Sequence, residues 1–345
     1  MADEEAELSA PKRAKGSVVR LVAWLVAVLL VVGAGLYFWW QQVPSEDDLR
    51  EQAGLKGKAQ LFVGVADDNP GVALKDPKTG IYTGFDIDIA YLIAADLGFR
   101  PNEVRFLTIE NEDRNRMRAA DEQGHFLTVD LVISTYSITE ERERERSVSF
   151  SAPYLDTEQS VMTLKGVPAV QDMSDLAGKT VCTITTSTSR NPASDAGAKV
   201  VGKRRISECM PGLRNHEFDA VTTDAAILAG YVALEPEVLQ HHDIGLAVPE
   251  EWGVNTGGND NLTKLVNLSL YRSHNDPEDK RWEDAYDRNL RGEERASFPQ
   301  PVANDKQPDV DEVEVRQWPW ERLAGTIRPI GATERRRRRT ASSGR

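Results

Sequence analysis

Cysteine is nearly absent from this chain, catalytic signatures are missing, and positive charge is in deficit. Each shortage narrows what the protein can be. Cys182 and Cys209 are the two cysteines, which allows one disulfide if this part is exported and two buried free thiols otherwise. No GxSxG, HExxH, GxxxxGK(S/T) or GxGxxG stretch occurs, so no nucleophile elbow, zinc-protease helix or phosphate loop is encoded. The five histidines (His125, His216, His241, His242 and His274) are scattered. His241-His242-Asp243 could form a metal cluster, but an exposed loop is the simpler reading. Among 55 Asp and Glu no pair stands out as a catalytic dyad. A formal net charge of -13 argues against a general nucleic-acid binder. The expectation is a protein that is not an enzyme and holds no cofactor or metal.

Long apolar runs are also scarce: there is one. Leu21–Trp40 reads LVAWLVAVLLVVGAGLYFWW, 20 residues without a charge. At ~1.5 Å per residue it spans a bilayer core of ~30 Å. Lys12, Arg13, Lys15 and Arg20 precede or edge it, and Glu46, Asp47 and Asp48 follow it. That asymmetry predicts a disordered cytoplasmic segment over 1–17, a single-pass plasma-membrane anchor over 18–41, and the rest of the chain outside. A cleaved signal peptide is the rival reading, but the run is long for one and its exit, LYFWWQQ, has no small-x-small site. No cysteine follows to carry an acyl group.

Residues 42–58 read as a charged linker. Strands are then predicted at Leu61–Val65, Val104–Leu107, Asp130–Ile133, Ser160–Leu164, Thr180–Ile184, Asp219–Thr222 and Ile244–Val248. Helices are predicted at Asp86–Leu97, Asp113–Asp121, Asp224–Leu234, Leu262–Tyr271 and Pro277–Leu290. This alternation predicts an α/β fold with mostly parallel sheets. In the first helix Asp86 is placed to cap the first turn, Ile89, Leu92, Ile93 and Leu97 share a face, and Gly98 stops it. From 292 to 345 the pattern fades into a disordered tail. It is rich in Pro, Asp and Glu up to Val315, has an isolated apolar spot at Trp318–Trp320, and carries five arginines at Arg335–Arg339. Those arginines are either solvated or drawn to anionic lipid or wall polymer.

The strand Leu131-Val132-Ile133 stops at a hydroxyl run, Ser134, Thr135 and Ser137, and Thr139 then opens a short helix. A strand feeding a polar loop at a helix N-terminus suits ligand binding in α/β proteins. A zwitterionic ligand needs a guanidinium for its carboxylate and a carboxylate for its ammonium. Arg142 can supply the first and Asp224 the second. By pattern alone Arg142 reads more simply as a surface arginine among Glu140, Glu141 and Glu143, and Asp224 serves equally as a helix N-cap.

Five stretches in order, YTGFDIDIAYLIAADLG, DLVISTYSITEER, VSFSAPYL, DLAGKTVCTITTSTS and DAVTTDAAILAGY, resemble the type II periplasmic binding-protein fold. More narrowly they resemble polar amino-acid binding proteins of ABC importers, in the glutamate/glutamine branch of Gram-positive bacteria. The resemblance covers roughly 60–290. It implies two α/β lobes joined by hinge strands, the first built from 59–163 and 243–291, the second from 164–242. It implies that Arg142 clamps the ligand α-carboxylate with help from Thr135 and Ser137, and that Asp224 receives the ammonium. Ser187 and Thr188, in the loop 185–189, would present hydroxyls at a helix N-terminus. Asp68, in Asp68-Asn69-Pro70-Gly71, matches the entrance loop. Arg114 matches an arginine near the side-chain end of the pocket, which would favour glutamate or aspartate, although Arg116 and Arg118 lie close by. The resemblance also implies a Cys182–Cys209 bridge.

Three departures stand out. The interval from Arg142 to Phe150 is two residues longer than in the family, so counting back from SFSAPY selects Arg144 instead. Thr186 replaces a glycine usual before the second-lobe hydroxyls. A membrane helix replaces the lipid-bearing cysteine, and a tail is added. The expected protein is a monomeric, membrane-anchored extracellular binding protein that captures a polar or acidic amino acid (glutamate, aspartate or glutamine) for ABC permease subunits. A ligand sensor signalling through a membrane partner is the alternative.

Overall fold

The computed structural model describes residues 14–41, 43–244, 249–293 and 302–316. They fall into two units: a helical one running to Asp48 and including 314–316, and a larger one, Leu49–Val313. In the first, helix α1 (Ala14–Gln41) contains Val19–Phe38, 20 residues of mean hydropathy 2.5, long and apolar enough to cross a membrane. It begins inside the stretch expected to be disordered. After it, Ser45 and Asp48 cap helix α2 (Glu46–Gln52): Asp48 N donates to Ser45 Oγ (3.1 Å) and Ser45 N to Asp48 Oδ2 (2.8 Å). Arg316 pairs with Asp48 at 3.0 Å, and its amide donates to Pro44 O (2.9 Å).

The larger unit starts where α2 buries Leu49. Ala53 and Leu55 follow it into the core, so residues 42–58 are not a free linker. Next come β1 (Leu61–Val65), β2 (Asp68–Asn69), β3 (Ala73–Lys75), β4 (Tyr82–Thr83), α3 (Phe85–Asp96) and β5 (Val104–Thr108). They lead to β6 (Arg118–Ala120), β7 (Phe126–Thr128), β8 (Leu131–Val132), α4 (Glu140–Glu143) and β9 (Phe150–Thr157). The chain then crosses to β10 (Gln159–Leu164), β11 (Thr180–Ile184), α5 (Arg190–Asp195), β12 (Lys199–Lys203), α6 (Cys209–Arg214), β13 (Ala220–Asp224), α7 (Ala225–Leu234) and β14 (Leu239–His242). It returns as β15 (Glu250–Asn255), α8 (Asp260–Asn275) and α9 (Arg281–Asn289).

The first lobe is built on a seven-stranded sheet, β7-β6-β5-β1-β8-β15-β9, and the second on a five-stranded one, β12-β11-β13-β10-β14. Parallel pairing is confined to β5-β1-β8 at the centre of one and β12-β11-β13 on one side of the other. The remaining pairs are antiparallel, so both sheets are mixed rather than mostly parallel. A third sheet, β2-β3-β4, is small. The first core stacks aromatics: Phe85, Tyr154, Trp252 and Trp282 are fully buried, and the Trp282 and Tyr286 rings lie 5.4 Å apart. The second gathers Val161, Leu176, Val181, Ala220 and Ile244. A disulfide joins Cys182 on β11 to Cys209 at the start of α6.

Several expectations are corrected. The span Asp113–Asp121 is not a helix. A single 3-10 stretch, Asn111–Arg116, ends where Met117 takes φ 54°, and a β6–β7 hairpin follows. Its turn is set by Asp121, which accepts from Gln123 N (2.9 Å) and His125 N (2.8 Å). Asp86 does not cap α3, whose N-cap is Gly84 at φ 128°; a Cβ there would run into the Val72 carbonyl. His241 and His242 are not in an exposed loop but buried on β14, with His242 Nε2 2.7 Å from Thr163 Oγ1. The expected strand Ile244–Val248 lies, beyond Ile244, outside the described residues, as do Trp318–Trp320 and Arg335–Arg339. Residues 302–316 are ordered, not a disordered linker. β9 is an edge strand, and the segment takes up its free groups: Asn304 N donates to Asp156 O (2.7 Å) and Thr157 Oγ1 to Val302 O (2.7 Å).

Candidate ligand-binding site

The site grows from the loop after β8. Thr135 sits at φ 44°, a left-handed conformation that costs a β-branched residue on the order of 1–3 kcal/mol. Two buried groups hold it there. Asp86 Oδ2 accepts from Thr135 N (3.1 Å), and Arg114 Nη1 donates to Ser134 O (3.0 Å) and Thr135 O (3.1 Å). Tyr154 donates its hydroxyl to the other Asp86 oxygen (2.9 Å). The next residue, Tyr136, lies between two cations: the Arg114 and Arg142 guanidinium centres are 4.4 and 4.8 Å from its ring centroid. Thr139 caps α4 by accepting from Arg142 N (3.3 Å), which fixes where Arg142 leaves the backbone. The Arg142 side chain then reaches across the lobes, donating to Ser137 O (2.7 Å) and to Thr186 O (3.1 Å).

The second lobe answers with Ser187 and Thr188 on the loop after β11, and with Asp224 at the end of β13. Asp224 is the N-cap residue of α7, yet its side chain makes no capping bond. Instead Asp224 Oδ2 accepts from Trp252 Nε1 at 2.6 Å. Of the eight ligand-binding candidates, seven line one cavity: Arg114, Thr135, Ser137, Arg142, Ser187, Thr188 and Asp224. Its volume is about 20 Å³, room for about one water. Beside it opens a cleft of about 730 Å³ that shares Arg114, Arg142, Ser187 and Thr188.

Asp68, the eighth, is not brought to the cavity. Its carboxylate accepts from Ser207 N (3.1 Å) and its carbonyl from Tyr231 Oη (2.6 Å), so it joins the lobes along a separate seam. Arg205 extends that seam from the second lobe to Asp67 (2.9 Å) and Glu110 in the first. Arg144 points away as well, paired with Glu140 at 2.7 Å, both side chains largely exposed.

Burial dominates the titration of the site. It lowers the Arg114 guanidinium to about 9, and neighbouring Arg142 pushes the same way. It raises Asp224 to about 7, helped by Glu250 and opposed by the Trp252 hydrogen bond, Arg142 and Arg114. Asp86 is likewise raised to about 7 by burial, against the Tyr154 and Thr135 hydrogen bonds. Sequence reasoning passed over Tyr136 and Trp252, and gave Asp86 only a capping role. Tyr136 stands inside the hydroxyl loop and was legible as an aromatic among donors. Nothing in the sequence links Trp252 to Asp224. Among the described residues, no group of three or more His, Cys, Asp or Glu could hold a metal ion.

Two similar proteins are the ABC transporter glutamine-binding protein GlnH of Bacillus subtilis and the glutamate-binding protein GluB of Corynebacterium efficiens. The first is 28% identical over 73% of this chain and 90% of its own length. The second is 29% identical over 63% and 74%. Among solved structures, an ancestral arginine-binding protein bound to glutamine is 30% identical, covers 67% of this chain and 98% of its own, and superposes with a TM-score of 0.58. A cysteine-binding protein from Campylobacter jejuni, 20% identical with a TM-score of 0.63, shares the fold. The model of the bacterial extracellular solute-binding proteins, family 3, matches residues 61–287, from β1 into α9. The chain belongs to that family of binding proteins.

Proposed function

We propose that this protein captures an acidic amino acid, glutamate or aspartate, outside the cell and delivers it to the permease of an ABC importer. One observation carries the reading: Arg142 of the first lobe and Asp224, Ser187 and Thr188 of the second line the same cavity. A guanidinium facing a carboxylate across a hinge is the complement of a zwitterion. Arg114 adds a second fixed cation, and two cations with one anion match two carboxylates and one ammonium. Glutamine- and glutamate-binding relatives agree with this ligand class. A cavity of about 20 Å³ admits no amino acid, so the ligand enters when the lobes part. On entry its α-carboxylate takes over the Arg142 donors that hold Ser137 O and Thr186 O. Helix α1, with its 20-residue apolar stretch, supports a membrane tether that keeps the binding lobes at the cell surface.

The test is a thermal-shift screen and calorimetry of the full-length chain in detergent against the twenty amino acids. Glutamate or aspartate at 100-fold above Kd should stabilise the protein by about 2.7 kcal/mol, with glutamine and asparagine weaker. Arg142→Ala loses charge-assisted bonds of about 1.5–3 kcal/mol each and should weaken binding at least ~100-fold while the ligand-free melting temperature holds. No shift with any amino acid would refute the reading, and an unchanged Kd in Arg142→Ala would refute the clamp.

A further inference from the structure

Trp252 connects the two halves of the site without lining its cavity. It lies on β15 of the first lobe and is fully buried. Its strand is laced to the loop that carries the first-lobe donors: Ser137 and Trp252 form a bridge, Ile138 N donates to Glu251 O (2.8 Å), and Gly253 N donates to Tyr136 O (3.1 Å). Its side chain turns to the other lobe, where the indole N–H meets Asp224 Oδ2 at 2.6 Å. An indole can only donate, and its bond to a carboxylate is stronger than its bond to the neutral acid, so it favours the ionised form.

We propose that Trp252 is a positioning residue of this site, holding one oxygen of the Asp224 carboxylate so that the other is presented to the ligand's ammonium. This rests on the amino-acid-binding reading above. A free carboxylate at the head of α7 has two competing uses, capping the helix or facing the cleft. The indole bond selects the second, which explains why Asp224 caps nothing. The same bond works on ionisation. Glu250 and burial favour the neutral acid, while Arg142, Arg114 and the indole favour the anion. Removing the indole donor shifts the balance toward the neutral form, which cannot pair with an ammonium.

The experiment is glutamate calorimetry on the full-length chain in detergent from pH 6 to 8.5. The variants are Trp252→Phe and Trp252→3-benzothienylalanine, the latter close to tryptophan in shape but lacking the N–H, so that it remains testable where the phenylalanine variant fails to fold. Both should bind about tenfold more weakly at pH 8.5, as expected for one charge-assisted bond, with the deficit growing on acidification. Neither should add a loss in an Asp224→Asn background, measured at millimolar glutamate. A loss that is equal at every pH, or that persists in Asp224→Asn, overturns the proposal and leaves a packing role. Wild-type affinity in the benzothienyl variant overturns it too. If the unmodified protein binds none of glutamate, aspartate, glutamine and asparagine, the functional reading falls, and the ligand role of Asp224 falls with it.

Discussion

Gly230→Ala separates the stability of the lobes from the stability of their closure. Gly230 is buried in α7 of the second lobe and faces Pro70 of the first. A methyl built there overlaps the Pro70 carbonyl group, its Cβ 2.7 Å from the carbonyl carbon and 3.1 Å from Pro70 Cβ. Both partners are backbone or ring, so no side chain can swing away, and the seam must widen. Widening stretches Tyr231 Oη–Asp68 O, Ser207 N–Asp68 Oδ2 and the Arg205 pairs with Asp67 and Glu110. At about 1 kcal/mol for a neutral hydrogen bond and 1.5–3 for a charged one, partial loss of this set costs closure about 2–4 kcal/mol. That is ~30- to 1,000-fold in the Kd of a ligand that needs the closed form. Within the helix the change is favourable, since alanine exceeds glycine by up to about 1 kcal/mol in helix propensity. The expected result is therefore a ligand-free melting temperature unchanged or raised, glutamate affinity sharply reduced, and the loss mainly in the dissociation rate by stopped-flow fluorescence. Wild-type affinity would refute the argument, because α7 and Pro70 would then not meet in the liganded protein.

Arg205→Ala should weaken glutamate binding by about tenfold without touching the cavity, since the Arg205, Asp67 and Glu110 side chains are only 32%, 19% and 21% exposed; the difference should shrink in high salt, and calorimetry at two ionic strengths checks it. Reducing the Cys182–Cys209 bridge, which spans 27 residues, should cost about 3.6 kcal/mol by the chain-entropy relation, read as a lower urea midpoint in dithiothreitol and already present in Cys182→Ala. Asp86 is raised to about 7 against an unfolded value near ~3.9, so the folded state binds the extra proton and stability falls as pH rises from 4 to 7; Asp86→Asn should flatten that slope in urea melts. Glutamate affinity should move the opposite way, weakening on acidification below 7 as Asp224 takes up its proton, and an affinity flat from pH 5 to 8 would sink that assignment.

How much of this was legible depends on whether a residue's partner is local. β1 and β11 match their apolar runs residue for residue, because a strand buried on both faces reads as a continuous run. α3, α7 and α8 follow from their buried faces and stops, with Gly98 at φ 90° closing α3. The β6–β7 hairpin failed because Asp113–Asp121 is rich in charged residues that suit a helix, while the deciding signal was the turn at Asp121 and Gly124. β9 was hidden by Pro153 inside it and β15 by its polar letters, since an antiparallel strand beside a hinge need not be apolar on both faces. The tail segment 302–316 looked like a linker because its order comes from the β9 edge, about 150 residues away in the chain.

The site divides along the same line. Ser137, Thr139 and Arg142 belong to one local motif, so their order alone pointed to a binding loop. What pattern could not decide was the direction of each side chain. Arg142 and Arg144 are both flanked by glutamates, and the choice falls to geometry: Glu140 takes Arg144 one turn on, at i,i+4, while the Thr139 cap turns Arg142 inward. Asp224 was even between cap and cleft, and Trp252, 28 residues on in sequence and in the other lobe, is what tips it. Asp68 shows the reverse case. Its motif suggested a ligand contact, but once the lobes meet, Ser207 N lies within hydrogen-bond reach of its carboxylate. A half-buried acid takes the donor that closure brings to it. Asp68 therefore stabilises the closed form of the lobes, and Asp68→Ala should raise the dissociation rate of every ligand alike, whereas changes at Arg114 should sort acidic ligands from amides.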